Sequence, residues 1–232
     1  MDKRNYSQLL FSMILMACTA LSTLAQQDLW EVLDPNQLNS KLLSATKRNF
    51  EGNPYLFDTW MSGNVTVNTG QTIPTEQMNY DCISDQVIIK NQETGQELAV
   101  FKKLVESFEI NDGNILHSFK RMILPGEIKY VEVILEGKLD LLKFHRKEVI
   151  EKKAASGYST TAQSSSQVRY KAEYFLHNHD ELFAVPFKEN VSEIFGNKTD
   201  IMTSYMKSER IKLKSKIKFG KLVKLVNYYN SL

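Results

Sequence analysis

The chain has 232 residues, 42% of them hydrophobic and 24% charged, with a formal charge of +2 at neutral pH. That length and apolar content suit one folded domain with a sizeable core. The near-neutral balance excludes the strong basic excess of a typical nucleic-acid binder, and two cysteines are too few for a disulfide-stapled scaffold.

Lys3 and Arg4 precede an apolar run from Leu9 to Ala17, and Thr23-Leu24-Ala25 sets small residues ahead of a cut before Gln26. Charge, apolar run and small residues in that order predict a secretory signal peptide over residues 1–25. The run is too short, and too broken by Ser12, Thr19, Ser22 and Thr23, for a bilayer span of about 20 residues. Leu15-Met16-Ala17-Cys18 resembles a bacterial lipoprotein box, yet Met16 fits it poorly and the apolar character continues past Cys18. Cleavage after Ala25 is therefore preferred to acylation at Cys18. Loss of Asp2, Lys3 and Arg4 lowers the formal charge from +2 to +1. The exported chain then keeps only Cys82 and forms no internal disulfide.

Residues 26–232 read as a single β-rich domain. Leu33-Asp34-Pro35-Asn36-Gln37-Leu38 is a helix start: Asp34 caps, Pro35 suits the first helical position and Gln37 completes a capping box. Leu38, Leu42 and Ala45 mark one face of a short helix ending near Lys47. From Asn53 to Pro186 the pattern is strands and turns. Met61–Asn68, Gln86–Lys90, Glu97–Val100, Leu104–Ile110, Ile115–Met122, Ile128–Leu135 and Leu139–Val149 are bounded by turn residues. Among these, Glu93-Thr94-Gly95, Asn111-Asp112-Gly113-Asn114 and Pro125-Gly126 are the clearest. Ile128–Leu135 is apolar on both faces and reads as a central strand. Residues 156–167 are Ser/Thr-rich and read as a flexible loop. Val168, Tyr170, Ala172, Tyr174 and Leu176 then alternate with Arg169, Lys171, Glu173 and Phe175, which predicts a half-buried strand with Leu182–Phe187 as its partner. The helical part, from about residue 188, holds a turn at Val191–Phe195, a helix carrying Ile201, Tyr205 and Met206, and a last helix carrying Phe219, Leu222, Val223, Val226 and Tyr229. No parallel crossovers are needed. The expected class is α+β, an antiparallel sheet or sandwich with a short N-terminal helix and C-terminal helices.

Asn53-Pro54-Tyr55-Leu56-Phe57, Trp60, Gly63, Asn79-Tyr80-Asp81, Leu135-Glu136-Gly137-Lys138 and the closing Leu222–Asn230 run resemble a family of exported proteins abundant in Bacteroidota-type bacteria. That family has no assigned activity. The resemblance implies a cell-envelope location and a fold of this type, and it transfers no catalytic residue.

Five constellations could carry chemistry. His177, His179 and Asp180 could bind Zn²⁺ or Cu²⁺, since His-x-His sets two imidazoles on one side of a strand; a polar hairpin loop is the competing reading. Cys82 could be a nucleophile if His117 or His145 approached it, or a buried small residue. Asp58, Asp81 and Asp140 cannot be paired from sequence, and Asn79-Tyr80-Asp81 is expected to shape a turn. Tyr55, Trp60 and Tyr80 could stack on a sugar or peptide, although aromatics at strand starts usually belong to the core. Between Lys207 and Lys224 eight basic residues face one acid, Glu209. That stripe could contact a membrane surface, or be a solvated outer face with Ile211, Leu213 and Ile217 packed beneath it. No catalytic residue and no cofactor is assigned. The expectation is an exported envelope protein acting as a non-enzymatic binding or interaction module for an envelope protein or ligand. A metal-dependent enzyme at His177/His179/Asp180 and a membrane-surface protein at Lys207–Lys224 are the alternatives.

Overall fold

A computed structural model describes residues 50–92, 94–124, 126–151, 166–178 and 181–232. The export segment with Cys18, the helix expected at 34–47, most of the Ser/Thr-rich stretch, Glu93, Pro125, His179 and Asp180 lie outside the described residues.

Ten strands form one sheet among the described residues: β1 (Met61–Val67), β2 (Thr72–Asp81), β3 (Gln86–Lys90), β4 (Glu97–Ala99), β5 (Val105–Asn111), β6 (Leu116–Leu124), β7 (Glu127–Leu135), β8 (Asp140–Glu151), β9 (Ser166–Asn178) and β10 (Glu181–Val185). Their spatial order is β10-β9-β8-β7-β6-β5-β1-β2-β3-β4, with every neighbouring pair antiparallel. Among the described residues three α-helices follow, α1 (Ser192–Phe195), α2 (Thr199–Ser208) and α3 (Phe219–Ser231), with a 3-10 turn at Gly196–Lys198 joining the first two. The architecture is the β-rich, antiparallel α+β plan the alternation of the sequence predicts.

Two local readings change. Asn79, Tyr80 and Asp81 complete β2 and are all buried, and Asp81 shapes the turn that follows, its Oδ1 accepting the amides of Ile83 and Ser84. The helix α2 buries Met206 as expected, with Tyr205 partly buried on the same core, but Met202 takes the inward place expected of Ile201, which is half exposed.

The sheet rolls. Registers shift between Met61 and Gly63, between Thr66 and Val67, and between Val133 and Leu135, and such bulges sharpen strand bending. Pairing of β7 with β8 ends at Glu132↔Lys143, whereas β6–β7 pairing runs on to Leu124↔Glu127 and β8–β9 pairing to Glu151↔Ser166. The turn between β2 and β3 fills this split. Cys82 O accepts the Lys147 amide at 3.1 Å, and Asp85 Oδ1 accepts the Tyr130 amide at 3.2 Å. Asp85 has a φ of 54°, a left-handed conformation that aspartate tolerates better than most residues. Its buried carboxylate also takes the Tyr80 hydroxyl at 2.5 Å and pairs with Lys102.

Two cores lie along one face of the rolled sheet. The first holds Tyr80, Phe108, Phe119 and Tyr130, with Phe108 and Phe119 stacked at 4.5 Å between ring centres. The second seals the β8–β10 end under the helices, joining Leu139, Leu141 and Leu176 to Met202, Leu222, Leu225 and Val226. A smaller cluster of Leu124, Val131, Leu142, Phe144 and Phe175 forms on the opposite face. Burying side chains of this size supplies roughly 1.5–3 kcal/mol each.

Candidate functional site

Period-two alternation along β7 places Tyr130, Glu132 and Ile134 on one face. Tyr130 belongs to the first core and Ile134 packs on the second, so Glu132 sits at the seam between them. It is 5% exposed, and a carboxylate taken so far from water needs partners. Two histidines supply them. Oε1 of Glu132 meets Nδ1 of His117 on β6 at 2.5 Å, and Oε2 meets Nε2 of His145 on β8 at 2.6 Å. Lys143 stands 3.6 Å away. Beyond His117, Nε2 lies 3.1 Å from Asp112 Oδ2; beyond His145, Nδ1 lies 2.9 Å from the Tyr170 hydroxyl on β9.

The result is an unbroken polar chain, Asp112–His117–Glu132–His145–Tyr170, crossing four adjacent strands and the β5–β6 turn. Burial alone would raise the pKa of Glu132, but the bonds from His145 and His117 prevail and pull it down to about 2. Burial likewise opposes charge on His117, yet hydrogen bonds to Glu132 and Asp112 raise its pKa above the usual histidine value. An imidazole between two carboxylates donates from both nitrogens and is an imidazolium. His145 differs. Its deeper burial outweighs the pull of Glu132, helped by the positive charges of Lys143 and His117, and its pKa is lowered. It is the neutral member, donating Nε2–H to Glu132 and leaving Nδ1 as an acceptor.

Tyr170 opens the chain to solvent. Its side chain is 45% exposed, and it lines a polar cavity of about 400 Å³ with Glu51, Gly52, Asn53, Lys147, Gln167 and Val168. The far wall is the segment ahead of β1, which folds back onto β9: the Glu51 amide donates to Ser166 O at 3.1 Å and the Val168 amide to Glu51 O at 3.3 Å. Gly52, at φ 121°, permits this approach, since a Cβ there would come within 3.1 Å of the Val168 Cβ. Lys147 holds the wall from below, its ammonium donating to the carbonyls of Asn53, at 3.1 Å, and Tyr55.

The residues singled out from the sequence are scattered. His177 Nδ1 lies 3.0 Å from Asp140 Oδ2, on the sheet face opposite Glu132, and Asp140 also takes Lys120 at 3.4 Å and the Gly137 amide at 3.0 Å. Burial works against the Asp140 charge, but these partners hold its pKa down. Among the described residues no group of three His, Cys, Asp or Glu side chains is placed to hold a metal. Cys82 is buried, 3.8 Å from the Tyr80 carbonyl, and burial pushes its thiol up to about 12; it behaves as a core residue. Both histidines once considered as its base are engaged by Glu132. Asp58 takes Asn53 at 2.9 Å, and Asp81 takes the amides of Ile83 and Ser84 at 2.9 and 3.1 Å. Tyr80 is fully buried, whereas Tyr55 and Trp60 pack together at 5.4 Å with Lys90 over the indole. In the basic stripe Ile211 and Leu213 are buried while Lys212, Lys214 and Lys216 are exposed. Lys221 donates to the carbonyls of Glu209 and Arg210 at 3.1 and 2.8 Å.

A second cavity, about 580 Å³, lies over Leu124, Phe144 and Phe175. Its rim charges satisfy each other: Lys129 meets Glu127 at 2.5 Å, Lys171 meets Glu173 at 3.2 Å and Arg146 meets Glu148 at 3.2 Å. Of these two cavities it is the Tyr170 cavity that is backed by buried, directional polar groups.

Sequence reasoning missed this site because its members are 15, 13 and 25 residues apart along the chain. One signal was present: Glu132 interrupts the apolar run Tyr130–Leu135 at an inward position. No protein-family model, no curated protein and no solved structure matches this chain.

Proposed function

We propose that this is an exported cell-envelope protein that works as a non-enzymatic binding module and takes its ligand in the Tyr170 cavity. The observation that carries the reading is the chain Glu132–His145–Tyr170, which spends two buried titratable groups on orienting one exposed phenol. Perturbed ionisable groups behind a cavity are a usual mark of a functional site. Export is supported by the composition of residues 1–25, and the kinship proposed from the Asn53–Phe57 and Leu222–Asn230 motifs agrees with that destination. No nucleic-acid partner is proposed, because the mature charge is near zero.

Two measurements test this. The protein recovered from its native envelope should begin at Gln26; recovery from the cytosol with Met1 intact contradicts export. A screen of small polar fragments against ¹⁵N-labelled mature protein should shift the amides of Gly52, Lys147 and Tyr170. Hits confined to the Phe144–Phe175 groove would place the ligand elsewhere.

A further inference from the structure

We infer that the Tyr170 cavity selects a neutral ligand that donates hydroxyl protons, a saccharide or similar polyol, because the phenol oxygen of Tyr170 faces it only as an acceptor. This rests on the cavity being the ligand site, as proposed above.

Hydrogen-bond polarity fixes the direction of each donor in the chain. Glu132 is a carboxylate with both oxygens engaged, so the nitrogen of His145 that faces it, 2.6 Å away, must carry a proton. A neutral imidazole has one such proton, so Nδ1 is bare. The Tyr170 hydroxyl, 2.9 Å from Nδ1, therefore gives its only hydrogen inward. What remains toward the cavity is a pair of lone pairs. A ligand carbonyl or ether oxygen set against them gains nothing and loses its own hydration, whereas a hydroxyl completes the bond.

The other walls agree. Glu51 and Lys147 carry opposite charges, which favours a neutral occupant over an ion. The half-exposed Tyr170 ring offers an apolar face of the kind that covers the C–H side of a sugar ring. The cavity, about 400 Å³, falls in the size range of small-ligand sites.

Protonation of His145 would reverse the inner bond. Nδ1–H would donate to the phenol oxygen and turn the Tyr170 hydrogen outward, so polyol binding weakens as His145 becomes charged. The titratable groups around His145 are Glu132 from β7, His117 from β6, Lys143 and Lys147 from β8, Tyr170 from β9 and Cys82 from the β2–β3 turn. Of these, Glu132 bonds His145 directly and favours its charge, while Lys143 and His117 oppose it.

The test titrates cellobiose, and in parallel its per-O-methylated analogue, into ¹⁵N-labelled mature protein at neutral pH. Cellobiose should shift the amides of Lys147, Gln167 and Tyr170 and saturate in the millimolar range, and the methylated sugar should not bind. Tyr170→Phe keeps the ring and should weaken cellobiose about tenfold, the usual effect of losing one well-made hydrogen bond. Its fold is checked by the unshifted amides of the Phe108–Phe119 core. Equal binding of the methylated sugar, or equal binding by Tyr170→Phe, overturns the inference. If cellobiose is silent while another fragment fills the cavity, the polyol assignment falls and the binding site stands; if nothing enters the cavity, both fall.

Discussion

Asn230, near the end of α3, brackets Leu139 with both atoms of its side-chain amide: Oδ1 accepts the Leu139 N–H at 2.9 Å and Nδ2 donates to the Leu139 carbonyl at 3.0 Å. Leu139 is fully buried in the turn between β7 and β8, so its peptide groups have no water to fall back on. Asn230→Ala should therefore cost about 2–3 kcal/mol, measured by urea unfolding. Gly137 packs against the same amide, where a Cβ would come within 2.5 Å of Nδ2. Gly137→Ala should be destabilising in the Asn230 background and much less so once Asn230 is alanine, a coupling that a double-mutant cycle reads directly. Strict additivity would show that the two do not share this contact.

Asp85 closes the split between β7 and β8 in the same manner, from a buried position in a left-handed turn. Removing its carboxylate strands the Tyr80 hydroxyl and the Tyr130 amide. Asp85→Ala should lose about 3 kcal/mol of stability, with discounting for the partly exposed Lys102. Asp85→Asn keeps an acceptor and tolerates the positive φ, so it should lose clearly less. Near-UV circular dichroism of Tyr80 and Tyr130 alongside chemical denaturation distinguishes a loosened roll from a simple loss of charge.

The Glu132 chain makes stability pH-dependent. Glu132 has its folded pKa depressed from 4.5 to about 2, so its contribution is present above 4.5 and is lost as pH falls through that window. That amounts to about 3 kcal/mol. His145, lowered in the fold, adds to the acid loss because it resists the charge the unfolded chain accepts. His117 has the opposite sign: its raised pKa favours the fold below the ordinary histidine value of 6.5, and that part fades as pH rises. Urea midpoints should thus peak between mildly acidic and neutral pH. Glu132→Gln should flatten the limb between 4.5 and about 2; an unchanged limb would assign it to other carboxylates.

Much of the strand order was legible because its cause is local. Alternation and turn residues placed Gln86–Lys90 to the residue and the β9–β10 pairing correctly. The strand β2 was not, since Asn79 and Asp81 carry turn-forming side chains: Asp81 does serve the turn after β2, while Asn79 accepts the Tyr80 amide from within the buried strand end. The alternation of β9 puts Tyr170 on the inward face, where it meets His145, yet only Phe175 and Leu176 of that strand are buried, because β7 has parted from β8 at that level. That same parting exposes the phenol and makes the site. A feature created by the rolling of ten strands leaves no mark on local periodicity, apart from an acid, Glu132, where an apolar residue was due.

The polarity of Tyr170 depends on which nitrogen of His145 carries the proton. ¹⁵N correlation spectroscopy of the imidazole, on mature protein at neutral pH, reads this directly. The expected result is Nε2 protonated and Nδ1 a bare acceptor, with Tyr170→Phe shifting Nδ1 and leaving Nε2 in place. A proton on Nδ1, or a charged ring under those conditions, would contradict the polarity assigned to Tyr170 and with it the site.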